Sequence, residues 1–215
     1  MKTRKEYRAE ALSALKGNWK PAVLATLVIF AAAAVAVVPT ILTKDSGEMK
    51  TILLASLIQY VIIFFLAYPL MAGYYNAIKS LVVNGDRQLM ENSWKFTFQN
   101  YPRMLGGMFL MYLKIVLWML LLLIPGFIMS IAYSMTPFIL KDNPEINVWK
   151  ASEMSRQMMK GHKWECFLLL MSFILWILAA ICTVGIGLLW LEPWMTATLA
   201  DYYEDLKLEA EGRAE

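Results

Sequence analysis

From Met104 to Leu140 the chain runs through thirty-seven residues with a single charge, Lys114. As one straight helix rising ~1.5 Å per residue, this run would be about 55 Å long, whereas the hydrocarbon core of a bilayer is about 30 Å thick. It is too apolar for a soluble surface and too long for one crossing. It must turn back on itself.

Three further apolar stretches accompany it on a window of about 19 residues: Pro21 to Thr43, Thr51 to Met71 and Trp164 to Ala200. The composition agrees, with 59% hydrophobic and 17% charged residues against about 25% charged in soluble domains. An integral membrane protein follows, of all-α class, because only helices and closed barrels satisfy their backbone groups in lipid. The first run is preceded by six Lys or Arg and lacks a small-residue cleavage site followed by a polar mature domain, so it is expected to be a retained helix.

The two long stretches each carry a helix breaker near the middle, Pro125-Gly126 in one and Gly185-Ile186-Gly187 in the other. Proline removes a backbone donor and glycine relaxes the helical constraint, so the chain is expected to reverse there. The result is a polytopic helical bundle of six membrane segments, 21–43, 51–71, 104–124, 127–140, 164–184 and 188–203, arranged as three hairpins within a single membrane domain, 1–215. Segment 127–140 reaches only about 21 Å at ~1.5 Å per residue. It is read as a short spanning helix bent at Pro137, with a segment extended by its polar flank or a re-entrant limb as the alternatives; 188–203 likewise either spans or is re-entrant.

Basic residues mark the cytoplasmic side of spans. The N-terminal tail has Lys2, Arg4, Lys5, Arg8, Lys16 and Lys20; Lys79 to Arg103 holds four more, Lys141 to Lys163 five, and the C-terminus two. The loops expected outside carry only Lys44 and Lys50. Both termini are therefore expected to be cytoplasmic, in a multi-pass protein of the cell membrane. Cys166 and Cys182, about 24 Å apart along one helix, cannot pair there.

Two cytoplasmic segments read as amphipathic helices. In 1–20, Tyr7, Ala11 and Leu15 form one stripe ending at Gly17. In 141–163, Asn143 is a candidate cap, Pro144 a first-turn residue and Gly161 a terminator, with Val148, Ala151, Met154, Met158 and Met159 on one side. Such helices suit a membrane surface, the alternative being a linker helix packed under the bundle. Lys150, Arg156, Lys160, His162, Lys163 and Trp164 are the candidate lipid-interface residues, facing membrane lipids that are anionic at the cytoplasmic leaflet.

A formal net charge of +3, with basic residues explained by topology, gives no support to nucleic-acid binding. A homo-oligomer or a membrane-protein partner is compatible with the chain.

Charges inside spans cost at least ~2.5 kcal/mol at the bilayer centre. Lys114 and Glu192 are therefore the candidate intramembrane polar site, expected to pair and to line a polar path. The bland alternatives are a snorkelling lysine and a wet glutamate. Asp201, Glu204 and Asp205 form an acidic cluster suited to a cation or to a solvated helix end. No Gly-x-Ser-x-Gly elbow, His-Glu-x-x-His pair or phosphate-binding loop occurs. No catalytic, cofactor-binding or metal residue is therefore assigned, and no enzyme activity or cofactor is expected.

Leu15-Lys16-Gly17-Asn18-Trp19, Ile124-Pro125-Gly126, Tyr133-Ser134-Met135, Met159-Lys160-Gly161-His162-Lys163-Trp164, Ser172-Phe173-Ile174 with Trp176, and Gly185-Ile186-Gly187 with Trp190 and Pro193 together resemble an uncharacterised bacterial membrane family, domain of unknown function 975. The resemblance implies a multi-spanning protein and brings no catalytic residues with it. The layout is also similar to membrane domains attached to some glycerophosphodiester phosphodiesterases, which implies a connection with lipid. The function read from these features is a non-enzymatic membrane protein that organises lipid or a partner. The alternative is a small transporter or channel-like protein whose polar path includes Lys114 and Glu192.

Overall fold

A computed structural model of the chain describes residues 1–212, apart from the side chains of Leu121 and Leu123. Among the described residues the structure is helical, with no strand. Five helical stretches are long and apolar enough to cross a membrane: Trp19–Thr43, Met49–Asn84, Tyr101–Leu120, Ile124–Asp142 and Lys163–Cys182. Arg213, one of the two C-terminal basic residues, lies outside the described part.

Helix α1 (Arg4–Leu15) begins in a capping box: the Glu6 amide donates to the Thr3 hydroxyl while the Glu6 carboxylate accepts from the Thr3 amide. Its stripe of Tyr7, Ala11 and Leu15 is fully buried, against protein rather than lipid. Gly17, with φ +84°, lets the chain turn into α2 (Trp19–Thr43). Along α2 the buried positions are small, Ala22, Ala25, Thr26, Ala32 and Ala36, and the exposed ones are large, among them Leu24, Leu27, Val35 and Leu42. Small inside and large outside is the pattern of a helix packed in lipid.

The second span extends beyond the expected Met71. Helix α3 (Met49–Ile62) passes through a π-turn at Ile63–Ala67 into α4 (Tyr68–Asn84). Pro69 cannot donate to the Phe65 carbonyl four residues back. The Tyr101 hydroxyl donates to that carbonyl instead, so the irregular turn keeps its backbone satisfied. Helix α4 ends on Gly85 in the left-handed region. The segment after it, read from sequence only as a cytoplasmic connection, folds into α5 (Leu89–Gln99) and packs closely on α4. At Gly73 a Cβ would fall 2.5 Å from the Ser93 carbonyl oxygen.

The long apolar run folds into α6 (Tyr101–Leu121) and α7 (Leu123–Tyr133), which pack against each other. The reversal lies at Leu122, which is extended with φ −160° and ψ 139°, not at Pro125. Proline sits comfortably in the first turn of α7, where an amide would have had no helical partner. Gly126 serves the packing instead, since a Cβ there would lie 2.7 Å from the Met119 Cα. After a turn at Ser134 and Met135 the chain continues as α8 (Thr136–Asp142), so the bend comes just before Pro137.

Helix α9 (Val148–Met158) is capped by Asn147, whose side-chain oxygen accepts from the Lys150 amide at 2.7 Å. Asn143, the expected cap, ends α8 instead. The apolar side of α9 faces the bundle: Ala151 and Met159 are fully buried, and Val148, Met154 and Met158 pack on the core. Gly161 follows the helix in the left-handed region, φ +94°.

Span Lys163–Cys182 breaks at Ser172 and Phe173 into α10 (Lys163–Met171) and α11 (Ile174–Cys182). Arg8 Nη1 donates to the Ser172 carbonyl at 3.0 Å, bringing α1 to this break. The chain then reverses at the expected glycines, with Gly185 at φ +82° and Gly187 so close to Ala180 that a Cβ would lie 2.8 Å from its Cα. Helix α12 (Leu188–Gly212) outruns the expected 188–203; its apolar part gives way to Asp201, Glu204 and Asp205, and it is not among the five apolar stretches.

Candidate functional site

The acidic residues of α12 have different fates. Asp201 pairs with the Lys2 ammonium at 2.7 Å, and Asp205 accepts from the Tyr7 hydroxyl at 2.8 Å. Glu204 lies 3.0 Å from Lys79. Lys79, only 6% exposed in its side chain, is also 2.5 Å from Asp142, which accepts from the Tyr203 hydroxyl and from Lys207 at 3.0 and 3.2 Å. The protein's own lysines thus occupy the cluster that the sequence offered to a cation. Among the described residues no group of His, Cys, Asp and Glu is arranged to hold a metal ion.

Glu192 differs. It stands one turn into α12, where its carboxylate accepts from the Thr196 hydroxyl four residues on, at 3.2 Å, the one side-chain hydrogen bond it makes among the described residues. No ion pair reaches it from any described residue. It lines a cavity of about 280 Å³ together with residues of α4, α6, α7, α8 and α12, among them Tyr75, Tyr112, Ser130, Ser134 and Phe138. Tyr112 is held from behind by stacking on Tyr68 at 4.3 Å, and Tyr75 leans on Phe138 at 6.2 Å. The Ser130 and Ser134 hydroxyls donate to the carbonyls of Phe127 and Ile131, at 2.7 and 2.8 Å. Their protons being used within the helix, these serines present oxygen lone pairs elsewhere. The lining is therefore rich in acceptors, beside aromatic rings.

Lys114 is not part of this site. On α6 the cavity takes Met111, Tyr112 and Ile115; at roughly 100° per residue Lys114 points about 110° away from the middle of that face. Its ammonium lies 4.0 Å from the centre of the Trp149 ring and 5.3 Å from that of Tyr133, a cation–π arrangement that carries the charge toward α9. The sequence brought Lys114 and Glu192 together only as two charges in apolar runs, and the structure separates them. Of the cavity's tyrosines and serines the sequence marked only Ser134, within the motif Tyr133-Ser134-Met135 and without a role; the others look like ordinary helix residues until the helices are packed.

The candidate interface residues lie on the outside of α9 and the start of α10. Lys150, Arg156 and Lys160 are exposed. Arg156 donates to Glu153 at 2.7 Å, and this bond draws the Glu153 carboxyl below its ordinary value. The His162 ring is 3.3 Å from Glu165 and 3.6 Å from Glu209, and its carbonyl accepts from the Tyr202 hydroxyl. Lys163 is half-buried. Trp164 is 66% exposed and stacks on Phe167. Cys166 is buried and Cys182 exposed, both as free thiols.

A family model described as protein of unknown function (DUF975) matches residues 44–210. The chain belongs to this family. Every residue lining the Glu192 cavity falls inside the DUF975 region, as do Lys79, Asp142 and Glu204, while α1 and α2 precede it. No curated protein and no solved structure matches the chain. The DUF975 assignment carries no biochemical activity, so function rests on the site itself.

Proposed function

We propose that this chain is a multi-pass protein of the cell membrane with both termini cytoplasmic, and that it binds a solute inside the membrane domain at the Glu192 cavity, in the manner of a small transporter or channel-like protein. The observation that carries the reading is the unpaired carboxylate lining a cavity built by five helices. A charge in such a place is costly, and its neighbours α4, α8 and α12 show that this bundle compensates its other interior acids.

The topology is supported by the placement of basic residues and by the contact of Lys2 with Asp201 and Asp205. That contact sets the N-terminal residues beside the polar half of α12, which calls for an even number of crossings. The first part of α12 then supplies the sixth, next to the five apolar stretches. The polar path runs by Glu192, Thr196, Ser130 and Ser134, without Lys114.

The second reading, a non-enzymatic protein that organises lipid or a partner, draws on the exposed Trp149 and Trp164 beside Lys150 and Lys163, facing anionic lipid. It ranks lower because α1 and α9 spend their apolar faces on the bundle.

The test is cysteine accessibility. In a protein with Cys166 and Cys182 replaced by alanine, Ser134→Cys is expected to react with a small water-soluble thiol reagent in intact membranes, while Val35→Cys on the lipid side is not. An unreactive Ser134→Cys in a folded protein would remove the proposed path.

A further inference from the structure

We infer that the ligand of the Glu192 cavity is a small organic ammonium ion. This rests on the reading that the cavity binds a solute, and it adds the chemistry of that solute. The cavity carries one carboxylate and no cationic partner among the described residues. Thr196 occupies one carboxylate oxygen of Glu192, at 3.2 Å. The hydroxyl protons of Ser130 and Ser134 are committed to the carbonyls of Phe127 and Ile131. The carboxylate and the serines leave acceptors open toward the cavity, and the Tyr75 and Tyr112 phenols add hydroxyls that can donate or accept; the one charge on the lining is negative, so a ligand must bring the positive charge. An anion would meet Glu192 as a like charge, and a neutral ligand would leave the carboxylate without a counter-charge.

The walls distinguish an organic cation from a bare metal ion. Tyr75, Tyr112 and Phe138 put aromatic rings on the cavity, and ring faces attract ammonium groups, the more so where water is excluded. The stacking of Tyr112 on Tyr68 and the lean of Tyr75 on Phe138 hold these rings without the ligand. Met111 and Met195 add polarizable thioethers. A volume of about 280 Å³ has room for a ring or a short alkyl chain besides the charged head. A metal ion would want several charged or carbonyl oxygens converging at ~2.0–2.6 Å, and here a single acid is present.

The experiment is equilibrium dialysis of the purified full chain in mild detergent with radiolabelled cyclohexylammonium, displaced by unlabelled cyclohexylammonium or by cyclohexanol, its neutral counterpart of nearly the same shape. Saturable binding is expected, with cyclohexylammonium at least tenfold tighter than cyclohexanol in the native sequence. In Glu192→Gln the two are expected to come within threefold of each other. Equal affinity for the two probes in the native protein, no saturable cyclohexylammonium binding, or displacement by sodium ions at similar concentration would overturn the inference. The comparison within the native sequence stands even if Glu192→Gln does not fold. Should Ser134→Cys be accessible while neither probe binds, the ligand chemistry fails and the solute-binding cavity stands; an inaccessible Ser134→Cys removes both.

Discussion

The ammonium of Lys79 lies 2.5 Å from the carboxylate of Asp142, and this contact pins the ends of α4 and α8 to the polar half of α12 through Glu204, Tyr203 and Lys207. Removing one partner of a buried ion pair typically costs about 3–5 kcal/mol, because the other is left uncompensated. Asp142→Asn is therefore expected to lower the unfolding midpoint of the detergent-solubilised protein strongly. Lys207→Ala, which removes a more exposed partner, should lower it far less. Equal effects of the two would mean that Lys79 is not the residue that Asp142 serves.

Glycines separate two kinds of strain. Gly126→Ala puts a Cβ 2.7 Å from the Met119 Cα, which drives α6 from α7 and should cost about 1–3 kcal/mol as overpacking does. Gly85→Ala meets open space but keeps φ +67°, for which a side chain costs roughly 1–2 kcal/mol. Thermal shifts measured side by side should show a loss in both. A second-site Met119→Ala is expected to recover neither fully, because the Gly126 contact also involves backbone.

Lys114 and Glu192 share no partner among the described residues, so their substitutions should act independently. In a double-mutant cycle, Lys114→Met and Glu192→Gln are expected to be additive within about 0.3–0.5 kcal/mol in thermal stability. A coupling above about 1 kcal/mol would restore the direct pairing that the sequence suggested.

The docking of α1 on α12 has a pH dependence. Burial works against the charge on Lys2, but its hydrogen bonds with Asp201 and Glu10 outweigh it and hold the ammonium above the ordinary lysine range. Burial, then the neighbouring Asp205, pushes the Tyr7 phenol up. Both groups hold their protons more tightly when α1 is docked, so their stabilisation is complete below the ordinary values near 10 and is lost as pH rises through the docked values. Spin labels at Ala9→Cys and Leu208→Cys are expected to report one short distance at pH 8 and a broadened distribution only above about pH 10. Broadening between pH 6 and 8 would contradict this linkage.

Hydropathy located the apolar stretches, helix breakers the glycine turn after α11, and helical spacing the stripe of α1, though not the bundle that buries it, because each is a property of neighbouring residues. The continuation of α4 to Asn84 escaped it, since beyond Met71 the chain takes in Asn76 and Lys79 and no longer reads as an apolar run. Asn143 was the expected cap of α9; it ends α8 instead, and with Pro144 in the turn between the two helices the cap falls to Asn147. The cavity was half legible. Glu192 was visible as a charge in an apolar run, but the residues around it come from five helices whose packing no local pattern encodes. The pairing of Asp201, Glu204 and Asp205 with lysines far away in the chain was hidden for the same reason.

The most direct measurement is the thermal stability of Glu192→Gln in ligand-free detergent, beside Asp142→Asn in the same buffer. Glu192 has no counter-charge among the described residues, so its neutralisation is expected to leave the midpoint unchanged or raise it, as removal of a functional strain does, while Asp142→Asn falls. A drop for Glu192→Gln as large as that for Asp142→Asn would show that Glu192 holds the bundle together rather than waiting for a ligand.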